Sequence, residues 1–161
     1  MNNFIYDVPT KIYFGENAVS NLHTELKNYG KKVLLCYGGG SIKKSGLYDT
    51  IIEEIKKAGS EVFELSGIEP NPRIDSVREG VKICKEHNID VLLAVGGGST
   101  LDATKWIAAG AKVDHDAWDF FSKWADVKDA LPVLTVLTLS ATGSEMNCGG
   151  VITNPETNVK F

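Results

Sequence analysis

The sequence predicts an α/β fold built on a mainly parallel sheet with helices on both faces, and three observations carry that expectation. Two apolar runs, Val33–Tyr37 and Val91–Val95, are continuous enough to be strands buried on both sides, as a parallel sheet covered by helices requires. Each run is followed by three glycines and a serine, Gly38-Gly39-Gly40-Ser41 in one case and Gly96-Gly97-Gly98-Ser99 in the other. Around them, strand-like and helix-like segments alternate, the pattern of right-handed β–α–β crossovers.

Taken in order, Phe4–Tyr6 and Lys11–Phe14 read as short strands around Pro9. Ala18–Tyr29 carries Val19, Leu22, Leu26 and Tyr29 at helical spacing and stops at Gly30. Val33–Tyr37 is a buried strand. Leu47–Ala58 is a helix with Ile51, Ile52 and Ile55 on one side, closed by Gly59. Glu61–Leu65 alternates as a strand does. In Glu69-Pro70-Asn71-Pro72 two prolines fix φ and restrict the residues before them, which makes a rigid turn. Ile74–His87 is a helix that turns Val77, Val81 and Cys84 inward.

After the second buried strand, Ser99 and Asp102 have the spacing of a capping box, so a helix is expected to start there and run through Lys105, Trp106, Ile107 and Ala109. Asp114–Asp129, with Trp118, Phe120, Phe121 and Trp124, reads as a short helix and a loop packed on the domain. Pro132–Thr138 is another strand, followed by the hydroxyl-rich loop Thr138–Glu145. Gly150–Thr153 and Asn158–Phe161 frame a turn, Asn154-Pro155-Glu156-Thr157, between two strands. The fold class is therefore Rossmann-like, with antiparallel strands added at the N- and C-terminal ends. Right-handed crossovers put both glycine turns on one rim of the sheet.

Composition narrows the partners. The 161 residues suit one domain, and 43% apolar with 24% charged residues is ordinary for a globular protein. A formal charge of −4 offers no basic surface for nucleic acid. No apolar run approaches the roughly 18–20 residues of a membrane helix, and the first residues lack the pattern of a secretory signal. Cys36, Cys84 and Cys148 are odd in number and far apart, so no disulfide framework is expected, and Cys36 and Cys84 read as small core residues. A cytoplasmic location fits. Phe161 follows a strand-like run directly, which suggests the first domain of a longer chain.

Neither glycine cluster is the G-x-G-x-x-G fingerprint, because the third glycine is replaced by Lys43 in one and Leu101 in the other. Two strand–glycine–serine turns on one rim nevertheless favour ligand binding over tight packing alone, and a helix N-terminus after the second suits phosphate. A ribose 2′-hydroxyl would call for an acid near the first turn, and the loop holds none. Ser41, Lys43 and Lys44 offer a hydroxyl and two cations instead, which suits a 2′-phosphate and hence NADP(H); the alternative is that both lysines are solvated helix-start residues. Thr138, Ser140, Thr142 and Ser144 suit phosphate oxygens or a carboxamide, and Thr142 with Glu145 has capping-box spacing. His23 and His87 read as solvent-facing, and His115 as part of a charged loop, so no metal site is expected from this chain. The aromatic group reads as core and rim packing.

Three ordered motifs carry a resemblance. Gly96-Gly97-Gly98-Ser99-x-x-Asp102-x-x-Lys105, Glu69-Pro70-Asn71-Pro72, and Thr138-Leu139-Ser140-Ala141-Thr142-Gly143-Ser144-Glu145-x-Asn147 resemble the iron-containing (group III) alcohol dehydrogenases, most closely their NADPH-dependent butanol dehydrogenase and aldehyde reductase branch. The resemblance spans all 161 residues. It implies a dehydroquinate synthase-like N-terminal dinucleotide-binding domain over residues 1–161, followed in the family by a helical domain whose Asp and three His hold a divalent metal, iron or zinc. Those ligands would lie outside this chain, so no catalytic or metal residue is expected within it.

By the resemblance, Gly38, Gly39, Gly40 and Ser41 contact the adenosine 2′-phosphate and Asn71 the adenosine side of the cleft. Gly97, Gly98, Ser99, Asp102, Thr138, Thr142, Ser144, Asn147 and Lys160 serve the diphosphate and nicotinamide. NAD-preferring relatives often carry Asp at the position of Gly38 or Gly39, and Ser140 stands where close relatives often have Pro. The implied function is NADPH-dependent interconversion of an aldehyde and a primary alcohol, in a homodimer, with the isolated chain inactive. Two alternatives stay open at this point: a non-catalytic nucleotide-binding module, and an NAD-dependent enzyme of the glycerol dehydrogenase type.

Overall fold

A computed structural model describes residues 8–161, so the expected strand at Phe4–Tyr6 lies outside the described residues. The sheet consists of β1 (Lys32–Tyr37), β2 (Glu61–Leu65), β3 (Val91–Gly96) and β4 (Val133–Leu137), in the order β2-β1-β3-β4 with every pairing parallel. The central strands β1 and β3 pair from Val33↔Val91 to Tyr37↔Val95. They are the two apolar runs, and every residue of β3 is buried.

Strand alternation divides the core in two. Leu34, Cys36 and Leu92 point to the face covered by α4 (Ile74–His87) and α5 (Gly98–Gly110), where they pack with Ile74, Val77, Cys84, Ala103 and Ile107. Val33, Leu35, Tyr37, Val91, Leu93 and Val95 point to the other face. There α1 (Leu22–Leu26), α2 (Ser41–Lys44) and α3 (Leu47–Ala58) bring Leu22, Leu26, Ile42, Ile51 and Ile55. Burial at Cys36 and Cys84 pushes both thiols up to about 12, so they behave as the small core residues expected of them.

The expected bounds of α3, β2 and α4 match the sequence reading. Three expectations are corrected. Lys11–Phe14 is not a strand: it runs along the surface with Phe14 fully exposed, and Lys11 Nζ and Tyr13 Oη donate to Glu25 Oε1 on α1 at 2.6 and 2.5 Å. Among the described residues this segment pairs with no strand, and Phe4–Tyr6, the other strand expected around Pro9, lies outside them. The antiparallel pairing among the described residues is therefore the C-terminal one, β5 (Thr153–Asn154) with β6 (Val159–Lys160), extended by mutual Ile152 and Phe161 backbone bonds at 2.8 and 3.1 Å. The helix expected over Ala18–Tyr29 is a 3-10 turn, Ala18–Asn21, followed by the five residues of α1. Finally, the strand expected over Gly150–Thr153 shrinks to the two residues of β5, whereas the short helix expected in the aromatic segment is present as α6 (Asp119–Ser122), which buries Phe120 and Phe121 against Trp106 and leaves Trp124 77% exposed. No helix among the described residues is long and apolar enough to cross a membrane.

His87 and His115 are exposed as expected, but His23 and His87 also make defined contacts. His87 stacks on Phe63 at 4.4 Å, and His23 Nδ1 lies 2.6 Å from the buried Glu54 carboxylate, which also takes Lys57 Nζ at 2.6 Å. Hydrogen bonding from Lys57, then from His23, outweighs burial and holds Glu54 below its ordinary value of 4.5. A depressed carboxylate stabilises the fold above its unfolded value and loses that contribution as pH falls through the folded one. Wild type is therefore expected to exceed Glu54→Gln in denaturant stability at neutral pH, with the gap closing below pH 4.5. Paired urea titrations from pH 7 to pH 3 check this, and a gap that widens on acidification refutes it.

Candidate functional site

Strand order locates the site before any side chain is considered. From β1 the chain moves outward to β2, then returns across β1 to β3, so the winding reverses between β1 and β3. In open α/β sheets the carboxyl ends of the strands at such a reversal leave a crevice that takes ligands. The two loops that open there are the two glycine turns.

At the second turn, Gly97 is extended (φ −90°, ψ −173°) and precedes α5, which begins at Gly98. Gly97 O accepts from the Thr100 and Leu101 amides at 3.0 and 3.2 Å, which leaves the first-turn amides of Gly98 and Ser99 without helical acceptors. Free amides of this kind are what an anion-binding helix end requires. The capping box is not formed, however. Ser99 lies inside the helix, and its Oγ accepts the Asn71 amide at 3.3 Å; no side chain caps α5. Asp102 instead turns toward the loop after β4, where Oδ1 accepts Ser144 Oγ at 2.6 Å and Oδ2 accepts the Val151 amide at 3.0 Å. The Thr142–Glu145 box fails likewise: a 3-10 turn, Ser144–Met146, follows Gly143 at φ 66°, and Thr142 Oγ1 accepts the Ser144 amide at 3.4 Å.

One turn along α5, Lys105 completes this anchorage. Its Nζ donates to Ser144 O at 2.9 Å, to Asn147 O and Oδ1 at 3.2 and 3.1 Å, and to Gly149 O. Desolvation lowers the Lys105 pKa, opposed by the charge of Asp102 3.9 Å away. Trp106 Nε1 adds a bond to Gly150 O at 2.9 Å. A single helix face thus holds the whole loop that the sequence singled out for its hydroxyls. The Thr138 amide joins it to the turn directly, donating to Gly96 O at 3.0 Å.

A second group forms across the crevice. Asn71 sits at φ 56° in its proline-bounded turn, and its Oδ1 accepts Lys160 Nζ at 2.6 Å while its amide reaches Ser99. Residues 28 and 89 positions from Asn71 in sequence are thereby joined at one corner. The first glycine turn stands more open. A Cβ at Gly39 or Gly40 would meet nothing within 4 Å, whereas one at Gly38 would lie 3.2 Å from Ile68 O in the loop after β2. Ser41 and Lys44 are exposed. Lys43 is turned back over the rings of Tyr37 and Tyr48, at 5.3 and 4.6 Å from their centroids.

The structure therefore brings together Gly97, Gly98, Ser99, Asp102, Thr138, Thr142, Ser144 and Asn147 on one side, and Asn71, Ser99 and Lys160 on the other. Gly39, Gly40 and Ser41 remain separate, an open platform at the end of β1. Sequence reasoning missed Lys105, although it lay within a quoted motif, because its task is to bind backbone carbonyls that no spacing rule reveals. It also missed an acid near the first turn: Glu64 arrives from the neighbouring strand β2 and accepts the Tyr37 and Tyr48 hydroxyls, each at 2.7 Å. Both its oxygens are taken by those hydroxyls, so it stands behind the platform and is not the free acid that dinucleotide folds offer a ribose. Among the described residues, no group of three or more His, Cys, Asp or Glu side chains converges, so the donor set for a metal is not met here. The open glycine platform, the free helix amides and the switch-point crevice do fit a dinucleotide.

Comparison with known proteins agrees with this geometry. Residues 9–161 match the family described as iron-containing alcohol dehydrogenase. The chain is 65% identical over its whole length to the probable NADH-dependent butanol dehydrogenase 1 of Bacillus subtilis, spanning 42% of that protein. It is 44% identical to the NADPH-dependent aldehyde reductase of Escherichia coli, covering 99% of this chain and 41% of that one. Among solved structures, the NADH-dependent butanol dehydrogenase A of Thermotoga maritima superposes with a TM-score of 0.97 at 46% identity, over 100% of this chain and 41% of the other. The chain thus spans less than half the length of the relatives it matches.

Proposed function

The chain belongs to the iron-containing alcohol dehydrogenase family, and we propose that it is the nicotinamide dinucleotide-binding part of an enzyme that interconverts a primary alcohol and an aldehyde. The observation that supports this reading is that both glycine turns leave the strand ends at the β1/β3 reversal, the second of them joined to the loop after β4 and the first open beside it. The bound nicotinamide would supply the hydride carrier. The chain's own residues bind and orient it. The Gly98 and Ser99 amides meet the diphosphate, Thr138 and Thr142 line the nicotinamide side, and Asn71 lines the adenosine side, hydrogen-bonded to Lys160 of the diphosphate and nicotinamide region. Ser144, Asn147 and Asp102 use their polar atoms on one another and on backbone, so their role narrows to shaping the loop. Residues that polarise the substrate oxygen, and the homodimer expected of the family, belong to the whole protein; alone, the chain binds cofactor without turning over.

The cofactor's 2′ position is where two readings divide. No carboxylate stands in Gly38–Lys44 to repel a 2′-phosphate, and Ser41 and Lys44 are exposed beside the open platform, which favours acceptance of NADPH. The names of the Bacillus subtilis and Thermotoga maritima relatives, and the turning of Lys43 onto two tyrosine rings, favour NADH. Fluorescence titration of the chain with both cofactors tests them. Saturable binding of each, with NADPH at least as tight as NADH, is expected. Clearly tighter NADH refutes the 2′-phosphate role of Ser41, and binding of neither refutes the dinucleotide reading. Butanal reduction by the purified chain that survives a chelator would refute its dependence on the remaining protein.

A further inference from the structure

We infer that Glu64 tunes cofactor preference by holding Lys43 away from the 2′ position of the bound adenosine, an inference that rests on the dinucleotide reading above. Tyr37 ends β1 and Tyr48 stands in the first turn of α3. Their hydroxyls donate to the two oxygens of one carboxylate, Tyr37 to Glu64 Oε2 and Tyr48 to Glu64 Oε1, both at 2.7 Å. The rings meet edge to face with centroids 5.8 Å apart. Lys43 Nζ lies over both faces, at 4.6 Å from the Tyr48 centroid and 5.3 Å from that of Tyr37. An ammonium over two π faces, with an anion behind them, is held by the ring quadrupoles and by Coulomb attraction together.

The charges are consistent with that arrangement. Burial opposes ionisation of Glu64, but the Tyr37 and Tyr48 hydroxyls and then Lys43 outweigh it and hold the carboxyl below its usual range. The hydrogen bond to Glu64 pushes Tyr48 up to about 12, so both ends of the Tyr48–Glu64 contact stay in their donor and acceptor forms. Lys43 is two residues beyond Ser41, on the short helix α2 that leaves the open platform of Gly39 and Gly40. It is the right length and charge for a phosphate there, but it points the other way. The anion that turns it comes from a different strand, so preference is set by a residue that need not touch the cofactor.

Glu64→Gln keeps the size and an acceptor for a tyrosine while removing the charge. Titrated into the full chain, NADPH is expected to bind E64Q about two- to fivefold more tightly than the unmodified protein, with NADH unchanged, because exposed charge pairs are individually weak. Lys43→Met alone should leave both affinities unchanged, and K43M combined with E64Q should erase the gain. An equal gain for NADH, a gain that persists without Lys43, or no gain at all overturns the inference. Weaker NADPH binding in K43M alone also overturns it, since Lys43 would then already be on the phosphate. If the unmodified chain binds neither cofactor, the dinucleotide reading falls and this inference with it. If it binds both and E64Q leaves their ratio unaltered, only this inference falls. Thermal melts of each variant followed by circular dichroism confirm that the fold is retained.

Discussion

Lys105→Met is expected to weaken dinucleotide binding by about 10- to 100-fold while leaving the adenosine end of the crevice intact. The ammonium donates to carbonyls from three residues of the loop after β4, Ser144, Asn147 and Gly149, and to the Asn147 side chain. Bonds to a charged donor contribute more than neutral ones, roughly 1.5–3 kcal/mol each in favourable cases, and they are not additive. Removing the donor leaves several carbonyls short of partners and deprives Asp102 of its neighbouring charge, so a loss of about 2–3 kcal/mol in loop order is the reasonable scale. About 1.4 kcal/mol is a factor of ten in affinity.

Loss of affinity alone would not separate a local effect from unfolding. Binding of 5′-AMP and 2′,5′-ADP supplies the control, because the platform at Gly38–Ser41 follows β1 and has no part in the Lys105 bonds. NADH and NADPH affinity should fall while the two adenosine fragments bind as before, and hydrogen exchange at the Gly149 and Val151 amides should quicken. Arginine should rescue only in part, because a planar fork cannot point donors from one nitrogen at converging carbonyls. Equal losses for fragments and dinucleotides would mean that Lys105 serves the fold generally, and the assignment would fail.

The same lysine shows where sequence reading reaches and where it stops. The buried strands were legible because parallel sheets covered on both faces leave no polar alternation, and Val91–Gly96 has every residue buried. Gly59 at φ 74° closed α3 as a glycine C-cap should. What failed was chemistry with two valid partners. Ser99 and Asp102 had the spacing of a cap, but spacing says nothing of a competing loop, and tertiary bonds from Asn71, Ser144 and Val151 claimed both side chains. At Lys11–Phe14 local propensity likewise says nothing of tertiary partners, and Lys11 and Tyr13 bond Glu25 on α1. Glu64 was passed over because its partners come from two other elements, β1 and α3. The family resemblance, by contrast, rests on motif residues that the structure does bring together, since Asn71 and Ser99 meet at one corner from separate motifs.

Gly98→Ala is the sharpest test of how closely those parts are fitted, with an expected loss of about tenfold or more in NADH and NADPH affinity. A Cβ at Gly98 would lie 2.4 Å from Thr142 Oγ1, 2.8 Å from Thr142 Cγ2 and 3.1 Å from Thr142 Cβ. The first two distances are far inside contact, and overpacking of that kind costs about 1–3 kcal/mol through displaced neighbours. Here the neighbour is the loop after β4 that is proposed to face the cofactor, and its far side is already fixed by Asp102 and Lys105. The strain therefore moves Thr142 and the first turn of α5 apart, at the place where the diphosphate would sit. The glycine is required by close approach and not by backbone conformation, because the residue opens a regular helix. That distinction makes the prediction reversible. Thr142→Ala removes the atoms at 2.4 and 2.8 Å, leaving a 3.1 Å approach that a shift of a few tenths of an ångström relieves. Thr142 itself lines the proposed nicotinamide side, so T142A alone should lose some affinity, though less than G98A, and the G98A/T142A protein should bind about as T142A does instead of showing both losses. If the double variant binds no better than G98A, steric coupling between α5 and the loop is not what Gly98 provides.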